Sequence, residues 1–217
     1  MSTAREHFAR LLAAYHPGLA QAQREGLARY LALVQDYSHV LNLTAFSTPD
    51  QLARELVGEA LRLLDLGPLI AGAAVVDLGS GNGSPVVPLA IVCPEVRFTA
   101  VESRQRRSAF LRTVQALLGL ANLEVWSMRT EDLARARPAS FDIVTARAYA
   151  KPAALLAHAR PLLKPGGEVR GFAGPSLDSV SAAASRLGCT LAAAYAYELG
   201  GPQRHVYRLV MDAARAV

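Results

Sequence analysis

Apolar positions change their spacing near residue 70. Upstream they follow a helical period. Leu27, Tyr30, Leu31, Val34, Tyr37 and Leu41 share one face of a helix expected over 24–44. A second helix opens at Thr48-Pro49-Asp50-Gln51, where Thr48 can cap, Pro49 suits the first helical position and Gln51 completes a capping box. It runs through Leu52, Leu56, Leu63 and Leu64 to a stop at Gly67-Pro68. Downstream, short apolar runs predict strands at 73–78, 97–102, 123–128, 141–146 and 167–173, with further candidates at 190–197 and 205–211. Helices are expected between them at 85–92, 104–118, 152–160 and 176–187. Such alternation predicts an α/β fold: a doubly wound, mostly parallel, Rossmann-like sheet covered on both faces. Residues 1–70 form an N-terminal helical extension packed on a main domain of 71–217, with no repeat and no low-complexity linker.

Composition narrows the class. The chain has 217 residues, 52% hydrophobic and 19% charged, which suits one ordered globular unit. No apolar run approaches the roughly 18 residues of a membrane span. The first ten residues, MSTAREHFAR, are charged where a secretion signal is apolar. A cytoplasmic protein without a membrane partner is expected. Cys93 and Cys189 suggest neither a disulfide framework nor a metal site. His7, His16, His39, His158 and His205 lack metal-ligand spacing, so no metal is expected. The net charge of +5 invites an anionic partner such as nucleic acid. With Lys151 and Lys164 the only lysines, an Arg/Ala compositional bias accounts for it equally well.

The chemistry concentrates after the first strand, in Val75-Val76-Asp77-Leu78-Gly79-Ser80-Gly81-Asn82-Gly83-Ser84-Pro85. A strand ends in an acid, enters a glycine-rich turn and leaves into a helix that Ser84 could cap, with Pro85 at its first position. Ligands of open α/β sheets bind at the carboxyl ends of the strands. A nicotinamide loop reads G-x-G-x-x-G, whereas this one reads G-x-G-x-G behind Asp77. A carboxylate there repels a pyrophosphate but suits the amino group of a methionine moiety, so the expected cofactor is S-adenosyl-L-methionine. Glu102, followed by Ser103, ends the next strand 19 residues after Gly83, where an acid can accept from two ribose hydroxyls. Thr130-Glu131-Asp132 follows the third strand and could meet an adenine edge or simply start a helix. Arg147, past the fourth strand, is placed for a phosphate, a guanine edge or a cofactor carboxylate. Arg104, Arg106 and Arg107 stand in the opening turn of a helix, against its dipole, and Arg112 lies further along. They are candidate RNA contacts, expected to share one surface with Arg147, or else an ordinary solvated face. Cys93 falls on the wrong side of the sheet for chemistry at the strand tips, and no Asn/Asp-Pro-Pro-aromatic tetrad follows the fourth strand. No catalytic residue is assigned beyond Arg147 as a positioning candidate.

The segment 75–125 resembles the bacterial small-subunit ribosomal RNA methyltransferase G family, also called glucose-inhibited division protein B. Asn42-Leu43-Thr44, Phe141-Asp142, Arg147-Ala148, Leu163-Lys164-Pro165-Gly166-Gly167 and Arg204-His205 carry the likeness over about residues 20–212. The resemblance implies a class I methyltransferase that modifies a guanine N7 of 16S ribosomal RNA in the small ribosomal subunit. It also implies cofactor contacts at Gly79, Ser84, Thr130, Glu131 and Arg147. The chain departs from the family pattern elsewhere. After Arg54, the family's His-x-x-Asp-Ser reads Glu55, Gly58 and Glu59. Val86, Ala146, Ala173, Tyr37 and Ser38 replace a glycine, a serine, a lysine, a tryptophan and an asparagine. The cofactor half is intact and the substrate half is altered. A paralogue with another substrate, or a non-catalytic binder of cofactor or RNA, are the alternatives.

Overall fold

The computed structural model describes residues 3–212. Two helices lead the chain: α1 (Thr3–Tyr15) and α2 (Gln21–Leu41). The stripe of α2 is buried at Leu27, Tyr30, Leu31 and Val34, but Tyr37 at its far end is exposed. The capping box expected at Thr48 is present. Its hydroxyl accepts from the Gln51 N–H at 3.2 Å, and the Gln51 side chain accepts from the Thr48 N–H at 3.3 Å. The helix that follows is not uniform as the leucine spacing predicted. After α3 (Pro49–Leu52) it widens into a π-helical turn over Ala53–Gly58, regains α geometry in α4 (Glu59–Leu61) and tightens to a 3-10 turn over Arg62–Leu66. The altered positions Glu55, Gly58 and Glu59 lie in or against that π turn. Hydrophobic spacing reports a helix's buried face and is blind to a one-residue change of hydrogen-bond period.

Seven strands follow: β1 (Ala74–Leu78), β2 (Arg97–Val101), β3 (Leu123–Trp126), β4 (Phe141–Ala146), β5 (Leu163–Ala173), β6 (Cys189–Tyr197) and β7 (Arg204–Met211). They form one sheet in the order β3-β2-β1-β4-β5-β7-β6, the first five parallel and β7 antiparallel to both neighbours. The doubly wound α/β reading therefore holds. Every residue of β1 is buried, as expected of a central parallel strand covered on both faces. The helices of the alternating region are α5 (Val86–Val92), α6 (Gln105–Leu118), α7 (Thr130–Ala136), α8 (Pro152–Ala159) and α9 (Asp178–Leu187). Phe8, Leu12, Leu27, Tyr30 and Leu31 share one core with Val87, Phe98, Phe110 and Val114, so α1, α2, α5 and α6 pack on one face. Leu133, Leu155, Leu156 and Val180 line the other, under α7, α8 and α9.

Register sets the site. Leu78 of β1 pairs with Val101 of β2 and with Ala146 of β4. Asp77, Glu102 and Arg147 thus meet at one edge of the sheet, at the carboxyl ends of its strands, where ligands of open α/β sheets bind. Ala173 pairs with His205, and Tyr197 with Arg204, so the β6–β7 hairpin brings Arg204 to the same edge.

Candidate cofactor and substrate site

The glycine loop follows Leu78 with positive φ at Gly79, Gly81 and Gly83. At Gly79 (φ +67°) a Cβ would stand 2.7 Å from the Tyr149 ring, and at Gly83 (φ +98°) 2.8 Å from Val87 Cγ2. Both the backbone conformation and the close approach demand glycine there. The Ser80 hydroxyl donates to the Asp77 carbonyl at 3.0 Å, and the Gly81 N–H donates to Glu102 Oε2 at 3.1 Å. Glu102 Oε1 accepts from the Arg104 N–H at 2.8 Å. Glu102 is buried, and each oxygen keeps a free lone pair after these bonds.

Asp77 is 1% exposed. Its Oδ1 accepts from the Thr145 hydroxyl at 2.9 Å. Burial pushes its pKa up to about 7, against the pull of the Ser80 and Thr145 hydroxyls and the Arg147 charge, with Glu102 adding to the rise. A buried acid poised near neutrality at a strand tip will ionise when a cation arrives. A methionine ammonium is such a cation, and Glu102 can accept from two vicinal hydroxyls. The donor set therefore fits S-adenosylmethionine.

A cavity of about 290 Å³ continues from the loop, lined by Gly79, Val101, Ser103, Met128, Thr130 and Tyr149, with Glu131 beside it. Thr130 and Glu131 open α7, and Thr130 is buried. The Tyr149 hydroxyl donates to Thr130 Oγ1 at 3.0 Å and lies 2.8 Å from His158 Nδ1. Sequence reasoning passed over Tyr149 and weighed His158 only as a metal ligand. An aromatic two positions after Arg147 is no motif, and only the fold lays its ring on Gly79. Another cavity, of about 490 Å³, sits at the opposite edge of the sheet among Asp142, Lys164 and Arg170, away from the strand tips.

Beside Arg147, on the candidate substrate side, the site is built around two carboxylates. Arg147 Nε donates to Glu59 Oε2 at 2.5 Å. Glu59 Oε1 accepts from the Tyr197 hydroxyl at 2.7 Å and from Arg204 Nη1 at 2.8 Å. Arg204 also donates to both oxygens of Glu55, at 2.8 and 3.1 Å. Glu59 is 4% exposed, and its charge is met by two guanidiniums. The two glutamates that break the family pattern are thus paired with Arg147 and Arg204, which keep it. Burial, with the neighbouring Glu59, pushes the Tyr197 phenol well above its ordinary range, so it remains a donor.

Two expectations, on Ser84 and on Arg104, need correction. Ser84 does not cap α5. The cap is Pro85, and the Ser84 hydroxyl donates to the Leu56 carbonyl of the π turn at 2.8 Å. The Ser84 N–H is taken by Asn82 Oδ1 at 3.0 Å, so both polar groups hold the loop in place. Arg147 is ion-paired with Glu59, whereas among the described residues Arg104, Arg106 and Arg107 form no ion pair. Arg104 is the N-cap residue of α6 and stands outside its first turn. Cys93 ends α5, away from the strand tips, and burial raises its thiol pKa.

Comparison with known proteins agrees with this geometry. The model of the family described as rRNA small subunit methyltransferase G matches residues 23–190. A protein of that name from Sorangium cellulosum is 39% identical over 166 residues, 76% of this chain and 70% of the relative. One from Sodalis glossinidius is 39% identical over 140 residues, 64% of this chain and 66% of the relative. A solved S-adenosylmethionine-dependent methyltransferase from Aquifex aeolicus superposes with a TM-score of 0.57 at 18% identity, covering 76% of this chain and 94% of that one, which speaks to the fold. The chain belongs to the rRNA small subunit methyltransferase G family, whose members are S-adenosylmethionine-dependent enzymes.

Proposed function

We propose that the chain methylates guanine N7 in 16S ribosomal RNA of the small ribosomal subunit, in the cytoplasm. The observation that carries this reading is the convergence of buried Asp77, the glycine loop and buried Glu102 at adjacent tips of β1 and β2. Asp77 receives the methionine ammonium against Gly79, Ser80 and Gly81. Glu102 and Ser103 take the ribose, and Thr130 and Glu131 border the cavity for the adenine. Gly83 and Ser84 act by holding the loop. When bound, S-adenosylmethionine supplies an electrophilic methyl group. Guanine N7 has a free lone pair, so the protein needs no general base. Its task is alignment, and proximity supplies most of the acceleration. Glu59 holds Arg147 by its Nε, which leaves the outer guanidinium edge free to orient the base. Arg104, Arg106 and Arg107 meet the RNA backbone at the mouth.

The decisive assay is tritiated-methyl transfer from S-adenosylmethionine to unmethylated small subunits, protein-free RNA and a small-molecule panel. Incorporation at a guanine of the RNA is expected. Transfer to a small molecule alone would reassign the substrate, and cofactor binding without any transfer would leave a non-catalytic binder.

A further inference from the structure

A groove of about 520 Å³ runs between the C-terminal end of α2 and the start of α6. Val40 and Leu41 form its apolar wall, and Arg104, Gln105 and Arg106 form the polar one. Val40 is 73% exposed at the end of a helix whose earlier turns are buried. One turn back, Tyr37 packs against Phe110 with ring centroids 5.4 Å apart, fixing α2 on α6. Among the described residues, no carboxylate side chain forms an ion pair with Arg104, Arg106 or Arg107, and the first turn of α6 holds no acid. Arg107 closes the inner end. Its Nη2 donates to the Asn42 carbonyl at 3.0 Å, and its Nη1 lies 3.7 Å from where a Gly81 Cβ would be. The groove therefore abuts the glycine loop.

We propose that this groove is a subsite for single-stranded RNA, seating a nucleotide that flanks the target guanine. Its base lies against Val40, and its phosphate bridges Arg104 and Arg106. Arg104 and Arg106 line one groove and neither guanidinium is ion-paired among the described residues; the nearby Glu102 carboxylate is held by the backbone N–H groups of Gly81 and Arg104, so a polyanion can take the guanidiniums. An exposed aliphatic wall beside them calls for an apolar face in the same ligand. A nucleotide offers both within one residue, and single-stranded RNA can splay its bases to do so. An acidic peptide would satisfy the arginines, but nothing brings a peptide to the cofactor loop, whereas the substrate strand must arrive there. The inference rests on the reading that RNA is the substrate.

The test compares the wild type with Val40→Glu and with Arg104→Ala/Arg106→Ala. Affinity for protein-free small-subunit RNA is measured across a salt series, cofactor affinity by calorimetry, and methyl transfer on RNA and on small subunits. Val40→Glu should weaken RNA binding about tenfold or more, by setting a carboxylate where the base's apolar face lies and beside the arginines that hold its phosphate. The double variant should weaken it and flatten the log-log salt slope by about one to two. Cofactor affinity should stay within about twofold in both, which also reports that the variants are folded. Wild-type RNA affinity and slope in both variants, with wild-type methyl transfer intact, would overturn the subsite and leave the proposed function standing. Losses seen on small subunits but not on protein-free RNA would assign the groove to a ribosomal protein and also overturn it. Absence of wild-type transfer to any RNA would remove both readings together.

Discussion

Asp77→Asn should make the protein more stable and useless for cofactor binding. In the folded chain, burial raises the Asp77 pKa from 3.8 to about 7. The folded state therefore holds its proton more tightly than the unfolded state. Between those two values the unfolded chain has lost that proton and the folded chain has kept it, so stability falls as pH rises, and the loss is complete above pH 7. The displacement corresponds to roughly 4 kcal/mol at pH 8. Asparagine is neutral at every pH and can still accept from the Thr145 hydroxyl, so it escapes that cost. For a chain of this size, about 4 kcal/mol translates into a rise in Tm on the order of 10 °C. At pH 5 the gap should shrink to about 1–2 kcal/mol, because the wild type is then protonated when folded. Reversible thermal unfolding of both proteins at pH 5 and pH 8 reads the gap, and calorimetry with S-adenosylmethionine reads the lost binding. A variant no more stable than the wild type at pH 8, or a gap equal at both pH values, would refute the argument.

Other outcomes follow from the same site. Cofactor affinity should weaken as pH falls below 7, because the ammonium needs Asp77 ionised. Binding at pH 6 should release a proton, seen as buffer-dependent enthalpy, and an affinity flat from pH 6 to 8 contradicts this. Glu102→Ala should weaken the cofactor by roughly 1–3 kcal/mol through the lost charged hydrogen bonds, measured by calorimetry. Glu59→Ala should destabilise the fold by about 3–5 kcal/mol in chemical denaturation, since Arg147 loses its carboxylate while Arg204 keeps Glu55. Glu59→Gln should recover only part of that, because its one carbonyl oxygen can still accept from Tyr197 and Arg204 while its NH2 cannot accept from Arg147.

The sheet and the glycine loop were legible because each rests on short sequence windows. β1 is a continuous apolar run, and the three glycines occupy φ values that other residues resist. The capping box at Thr48 is equally local, since its two partners stand three residues apart. The cluster of Glu55, Glu59, Arg147 and Arg204 was not legible. Glu59 reaches Arg147 across 88 residues and Arg204 across 145. As isolated letters, Glu55 and Glu59 look like lost function. In the fold they are the counter-charges of two arginines, a fact that lives in the pairing of β7 with β5 and the placement of the π turn. Ser84 was misread for a related reason. A serine before a proline signals a cap, but the nearest acceptor came from a different helix.

The glycine loop is clipped to the segment that precedes the sheet at three points: Ser84 to the Leu56 carbonyl of the π turn, Asn82 to the Leu43 carbonyl just past α2 at 3.3 Å, and the Tyr30 hydroxyl of α2 to the Asn82 carbonyl at 3.1 Å. All three clips are buried. A fragment beginning near residue 71 would lose them together and leave Val87, Phe98 and Phe110 facing water. The leading helices are therefore not a removable module, and grafting them onto another scaffold to redirect substrate choice would disturb the cofactor loop as well. Exchange of specificity between members of this family should be attempted by changing side chains on intact helices, with Leu43, Leu56 and Tyr30 left in place.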